Sequence, residues 1–478
     1  MGASAEFSRR YLSLLAPLYL LEASIAVIAI AMHMKGERPF AEFLHSWPGQ
    51  TFVAALTLVL VSCLVITSLY LENRRVLSRH FRLVVTMNLI TVVLALGVGE
   101  LTLRVGASNL FEHEAIGTVV LSPKNWEATK NRYRQLLEEA RGHTSYLEYD
   151  DRMGWTVGSN IQGSQGLYWS SSEGLRAPRA GISFAKGNSK QTDIAVVGDS
   201  FTFGEEVRYE ETYGAYLEQM LGARFRVLNF GVPGYGLDQM YLRYQRDVRA
   251  WKPKIVILGF IAHDLVRTLW VYPFLGNHAW DFPFSAPRFA LREGQLVNLT
   301  ETALPPEAIF ARQSVSELPL LNYQKGYKPS DWEERLIHFS YLARLCVSWF
   351  PPWSATNPEV SEGALISINA AILKEFVRAV RQDGAIPIVA YFPPRSEVVK
   401  PSLGLSFGGT QRSDWAANTS RVLDQSGIRY VDTTPCLLEV ASKVASIEQL
   451  FQPGRHYAPE GNAAVSKCVY KYINEVLG

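Results

Sequence analysis

Apolar and polar positions divide the 478-residue chain into two regimes. Through the first hundred positions the apolar residues form three unbroken stretches, Tyr11–Met32, Thr51–Leu71 and Leu83–Leu103. Each is close to the ~20 residues needed to cross a bilayer as a helix. The middle stretch, "TFVAALTLVLVSCLVITSLYL", carries no charge. Glu22 and Glu100 lie in the other two, where an ionisable group needs a partner, a cavity or an interfacial position. Arg9 and Arg10 before the first stretch, with Ala29 and Ala31 near its end, also suit a cleaved signal peptide, and two further spans follow either way.

Beyond residue 190 the pattern changes to short, almost purely apolar runs separated by amphipathic ones. "TDIAVVG", "FRVLNF", "KIVILGF", "IPIVAYF" and "IRYVD" read as strands. Between and after them, "YEETYGAYLEQMLGA", "LDQMYLRYQRDVRAW", "AAILKEFVRAVRQD" and "PEGNAAVSKCVYKYINEVL" have helical spacing. This alternation predicts an α/β fold, a parallel sheet covered by helices on both faces. The expected organisation is a membrane domain over 1–104, a strap over 105–190, and an α/β domain over 191–478 interrupted by an insertion at about 266–364. The insertion, rich in aromatics and proline, suits a lid, a substrate platform, a packing elaboration or a surface lying on the bilayer.

Charge then orients the molecule. Arg74, Arg75, Arg79 and Arg82 cluster between the second and third apolar stretches and should remain cytoplasmic. The expected location is therefore a bacterial inner membrane crossed three times, with the large C-terminal part in the periplasm or outside the cell. There Cys436 and Cys468 either pair or stay as separate buried thiols. The formal net charge of +2 and the absence of a basic stripe give no footprint for nucleic acid. Neither a Cys/His cluster nor ligand-spaced histidines call for a metal, and no cofactor is expected.

The residues able to do chemistry fall at the ends of the expected strands, where open α/β sheets gather their ligands. Ser200 follows "VVGD"; Gly234 lies in "LNFGVPGYG", where the missing Cβ lets a backbone N–H approach a ligand; His263 and Asp264 lie in "GFIAHDL"; His456 lies in "GRHYAPEGN" before the last helix. A serine that attacks a carbonyl needs a base and donors for the resulting oxyanion, and these positions supply both in order. Asp199 reads as a turn carboxylate beside the nucleophile, Asp264 as its counterpart in the next loop, and Glu205 and Glu206 as a solvated approach to the following helix.

At these positions the sequence resembles the SGNH (GDSL-like) hydrolase and acyl-esterase family, in its membrane-anchored bacterial form, over about Thr192 to Gly478. The resemblance implies a three-layer α/β/α flavodoxin-like domain. It implies Ser200 as nucleophile, His456 as base, and Ser200, Gly234 and His263 around an oxyanion hole, with Asp199 and Asp264 in support. Two departures stand out. His263 replaces the family's Asn, and Pro453 occupies the position of the Asp that orients the base, so a backbone carbonyl, Glu460 or Asp432 would have to serve. The expected activity is an esterase or O-acyltransferase, acetyl by preference, on a cell-envelope polysaccharide or glycolipid. The alternative is a catalytically degenerate domain that binds glycan or assists a membrane complex. A third reading places the chemistry in the membrane part, through Glu22, Glu100 and a partner membrane protein.

Overall fold

The computed structural model describes residues 94, 96–142, 146–187, 190–349, 357–398 and 411–477. The expected spans at 11–32 and 51–71, and most of that at 83–103, lie outside these residues, as does Glu22. Among the described residues no helix is long and apolar enough to cross a membrane.

The chain forms two compact units, Met1–Ala128 with Lys328–Thr356, and Thr129–Tyr327 with Asn357–Gly478. In the first, strands Ser108–Leu110, His113–Ile116 and Val119–Val120 make a small antiparallel sheet. A helix of the same unit, Tyr341–Trp349, starts on Glu100: that carboxylate accepts the Tyr341 and Leu342 N–H groups at 2.9 and 3.0 Å and the Ser340 hydroxyl at 2.8 Å. An acidic group suits the positive end of a helix. Arg104 also pairs with Glu100 at 2.7 Å.

The second unit holds the alternating elements that the sequence predicts. In chain order they are β1 (Thr192–Gly198), α1 (Ser200–Phe203), α2 (Tyr213–Leu221), β2 (Phe225–Asn229), α3 (Leu237–Arg243), β3 (Ile255–Phe260) and α4 (Ala262–Arg267). There follow α5 (Glu362–Gln382), β4 (Ile386–Tyr391), α6 (Gln411–Ser426), β5 (Tyr430–Asp432), α7 (Thr434–Ala441) and α8 (Pro459–Leu477). All five strands pair in parallel, in the order β2-β1-β3-β4-β5. This is the flavodoxin-like order, whose direction reverses beside β1, and the carboxyl ends of β1 and β3 form the crevice in which ligands of such sheets bind.

Alternate residues of each strand enter opposite cores. Ile194, Val196, Ile257 and Ile388 pack against Tyr213 and Leu217 of α2 and Val465, Val469 and Ile473 of α8. Ala195, Val197, Leu258 and Val389 face the other way, towards Leu237 and Met240 of α3 and Ile372 and Phe376 of α5. Met153, Trp155 and Tyr168, in the region read as a strap, join this second core and so belong to the interior of the α/β unit. Cys436 on α7 and Cys468 on α8 form a disulfide, with Cα atoms 5.9 Å apart, which resolves their pairing.

Candidate active site

Ser200 stands where β1 ends and the one-turn helix α1 begins. Asp199 caps that turn, its Oδ1 accepting the Phe201 N–H at 2.9 Å. The cap fixes the backbone on either side of the serine and leaves Ser200, 5% exposed, facing the carboxyl end of the sheet. His456 arrives from the loop before α8. Its Nε2 lies 2.9 Å from Ser200 Oγ, so the nucleophile and base expected from the sequence do meet.

The group behind the imidazole differs from every candidate the sequence suggested. His456 Nδ1 lies 2.8 Å from Oε2 of Glu206, which was read as a solvated residue on the way to the next helix. A carboxylate only accepts, and of the two at the ring Glu206 is the closer, 2.8 Å from Nδ1 against 3.2 Å from Nε2 to Glu205, so Nδ1 carries the hydrogen and Nε2 presents its lone pair to the Ser200 hydroxyl. Glu206 is held from three further sides. Its Oε1 accepts the Gly454 N–H at 2.8 Å, its Oε2 the His456 N–H at 3.3 Å, and its own N–H donates to Tyr168 Oη at 2.8 Å. Asp432 instead accepts the Thr434 N–H at 2.9 Å, and Glu460 occupies the first turn of α8.

Two local features make this substitution work. Glu206 has φ 66, a left-handed conformation that turns its side chain back across the α1 turn towards the histidine loop. The loop answers with Gly454: a Cβ there would stand 2.5 Å from the Glu206 carboxylate. The loop thus needs no carboxylate of its own beside the histidine, since the space next to Gly454 is filled by one from the nucleophile's own turn. A glycine two residues before a loop histidine and next to a Pro, together with an acidic pair just after "GDSFTFG", is the signal that could have revealed it.

Glu205 also reaches the imidazole, from the opposite edge. Its Oε2 is 3.2 Å from His456 Nε2, and its Oε1 accepts the Tyr146 hydroxyl at 2.6 Å. Burial and the Glu205 charge hold the Tyr146 hydroxyl far above the ordinary phenol range, so it remains a donor. Tyr146 stacks on Phe203 at 5.6 Å, and Arg176 lies over both Tyr168 and Phe203. Tyr146 and Tyr168, which periodicity assigned no task, therefore hold both acidic residues of the turn.

Gly234 lies in the loop after β2 with φ 82, and a Cβ there would sit 3.0 Å from both Trp280 and Phe282. The loop is braced below by Trp155 Nε1–H donating to Pro233 O at 2.8 Å. His263 is half-buried on α4; burial, then Arg267 and Arg455, push its pKa down to about 3. It is uncharged at neutral pH.

Asp264 is fully buried, capping α4 through the Ile261 N–H at 2.9 Å and taking Arg267 Nη1 at 2.5 Å. The same guanidinium lies 3.4 Å from Asp199 Oδ2 and 3.1 Å from Tyr235 O, tying together the three loops at the strand ends. Burial raises both carboxyls and the charge of Asp199 raises Asp264 further, while Arg267 acts in the opposite direction on each. Both are positioning residues, and Arg267 was not anticipated. Among the described residues no group of three or more His, Cys, Asp or Glu side chains is placed to hold a metal ion.

Residues 196–464 match the profile of the GDSL-like Lipase/Acylhydrolase family. No curated protein matches the chain. Similar solved structures include a putative lipolytic protein of the G-D-S-L family from Desulfitobacterium hafniense, 18% identical, covering 59% of this chain and 99% of that one, with a TM-score of 0.28. A lipase/acylhydrolase from Enterococcus faecalis is 11% identical, with coverages of 60% and 96% and a TM-score of 0.30. An acetylxylan esterase from Geobacillus stearothermophilus is 14% identical, with coverages of 59% and 95% and a TM-score of 0.31.

Proposed function

Because the chain belongs to the GDSL-like lipase/acylhydrolase family and is a serine hydrolase acting on esters, we propose that Ser200, His456 and Glu206 carry out that chemistry as a Ser-His-Glu triad. The reading rests on one observation, the unbroken chain Ser200 Oγ–His456 Nε2, 2.9 Å, and His456 Nδ1–Glu206 Oε2, 2.8 Å. His456 takes the Ser200 proton as Oγ attacks the ester carbonyl carbon. Glu206 fixes the productive tautomer and stabilises the imidazolium that forms. The Ser200 and Gly234 N–H groups hold the oxyanion, and uncharged His263 adds a third donor where the family has Asn. The imidazolium returns its proton to the leaving alkoxide. Water or an alcohol then releases the acyl group by the reverse sequence.

The substrate class follows from placement. We read the chain as anchored by the three N-terminal apolar stretches, with the catalytic unit outside the cytoplasm and the acyl group, by preference acetyl, belonging to a cell-envelope polysaccharide or glycolipid. The Cys436–Cys468 disulfide supports an oxidising compartment, and tethering to a bilayer suits an immobile substrate better than a diffusing one. Replacing Ser200 by Ala should abolish release of p-nitrophenol from p-nitrophenyl acetate and labelling by a fluorophosphonate. Retention of either would remove the assignment.

A further inference from the structure

Glu205 has no task in the triad just described, yet its carboxylate faces the nitrogen on which the reaction turns. Oε2 lies 3.2 Å from His456 Nε2, and Oε1 is anchored by the Tyr146 hydroxyl at 2.6 Å. Its side chain is 19% exposed, so a ligand can reach it. A carboxylate opposite a bare imidazole lone pair gains nothing from that neighbour, because two acceptors face one another. The arrangement becomes favourable when each of these two acceptors, 3.2 Å apart, receives a donor of its own.

That situation arises in the second half-reaction. Once Ser200 Oγ is acylated it has no hydrogen to give, and Nε2 must take the proton of the incoming hydroxyl. An acceptor with a single O–H satisfies Nε2 and leaves Glu205 facing an ether or alkyl group. An acceptor with two O–H groups on adjacent carbons satisfies both. Resting on the triad reading, we propose that Glu205, held by Tyr146, is an acceptor site selective for vicinal diols such as those of a sugar ring. The first hydroxyl attacks the acyl carbonyl carbon and gives its proton to Nε2. The bond from that carbon to Oγ then breaks, and the proton passes from Nε2 to Oγ. The second hydroxyl donates to Glu205 Oε2 throughout and is not consumed. Sites built to pair a hydroxyl discriminate strongly against ligands that lack it.

The test uses the full chain with p-nitrophenyl acetate as donor and equal concentrations of ethylene glycol and 2-methoxyethanol as acceptors, the second being the first with one donor capped. The ratio of the two product esters depends only on deacylation, whichever step limits turnover. The wild-type chain should favour glycol acetate by about tenfold or more, the low end for a hydrogen bond to a charged partner. Glu205→Ala should reduce that ratio to the statistical advantage of two hydroxyls. Glu205→Gln should do the same, because Tyr146 turns the amide oxygen towards itself and the amide N–H₂ towards Nε2. Tyr146→Phe keeps the ring on Phe203 and should lower the ratio several-fold. A wild-type ratio no larger than statistical, the absence of transfer to either alcohol, or a preference retained without the Glu205 carboxylate would overturn the inference. Ser200→Ala distinguishes the two levels: transfer persisting there removes the triad, whereas its loss beside an unaltered Glu205→Ala ratio removes only the diol site.

Discussion

Removing the Glu206 carboxylate separates the orientation of the base from everything else in the site. Glu206 is hydrogen-bonded on both oxygens, but unequally: Oε2 receives the His456 Nδ1–H and N–H groups, while Oε1 receives only Gly454 N–H. In Glu206→Ala the carboxylate left at the ring is Glu205, 3.2 Å from Nε2, which favours the unproductive tautomer, and the comparable loss in serine proteases is about 10⁴-fold in rate, or about 5.5 kcal/mol. In Glu206→Gln the amide oxygen does better at Oε2, where two donors await it, than at Oε1. The tautomer is then kept, the imidazolium loses its counter-charge, and the amide N–H₂ opposes Gly454 N–H. We therefore expect Glu206→Gln to lose about 10²- to 10³-fold in kcat, less than Glu206→Ala, with little change in stability because Gly454 is exposed and water can accept from its N–H. The assay is kcat and KM on p-nitrophenyl acetate, with a urea titration for stability. KM should change little, since the interaction strengthens only as charge develops on the ring. A Glu206→Ala chain that folds and retains activity within a few-fold of wild type would refute the argument. A Gln variant worse than the Ala variant would refute the donor count on which it depends.

Further expectations follow from the same geometry. Gly454→Ala places a methyl 2.5 Å from the Glu206 carboxylate and should lower kcat by about tenfold or more while KM holds, read by the same ester assay. His263, with a folded pKa of about 3, refuses a proton that the unfolded chain accepts near the ordinary value of 6.5. Its contribution to stability is thus complete above pH ~6.5 and lost progressively as pH falls towards 3; urea midpoints across that range should flatten in His263→Gln. Reducing the Cys436–Cys468 bridge, which closes a separation of 32 residues, should cost about 3–4 kcal/mol, seen as a lower thermal midpoint in reductant.

The strands and the Ser200–His456 pair proposed as nucleophile and base were legible because each is governed by a local signal. An apolar run ending in Gly-Asp-Ser places Ser200 at a strand end, and a loop histidine before a well-patterned helix places His456. Glu206 was not legible, since charge and position alone describe an exposed turn residue. What recruits it is a left-handed backbone angle and a gap across 250 residues of chain, and neither leaves a periodic trace. Tyr146 and Tyr168 escaped for a related reason: the region around them mixes turns and aromatics without a period, although its side chains pack in the sheet's own core. Arg267 was hidden at the edge of the insertion, where sequence gives no cue that a helix end points back beneath the nucleophile.

The parallel sheet carries one more implication, through the side of the chain from which each catalytic group comes. Ser200 and Glu206 share a single short turn, whereas the imidazole that joins them is supplied across the whole length of the domain, from the approach to a helix stitched by a disulfide to its neighbour. Ester turnover is in that sense a readout of tertiary closure. Any nick, reduction or loosening that frees α8 would silence the enzyme while its nucleophile stayed correctly presented, so loss of activity would precede global unfolding.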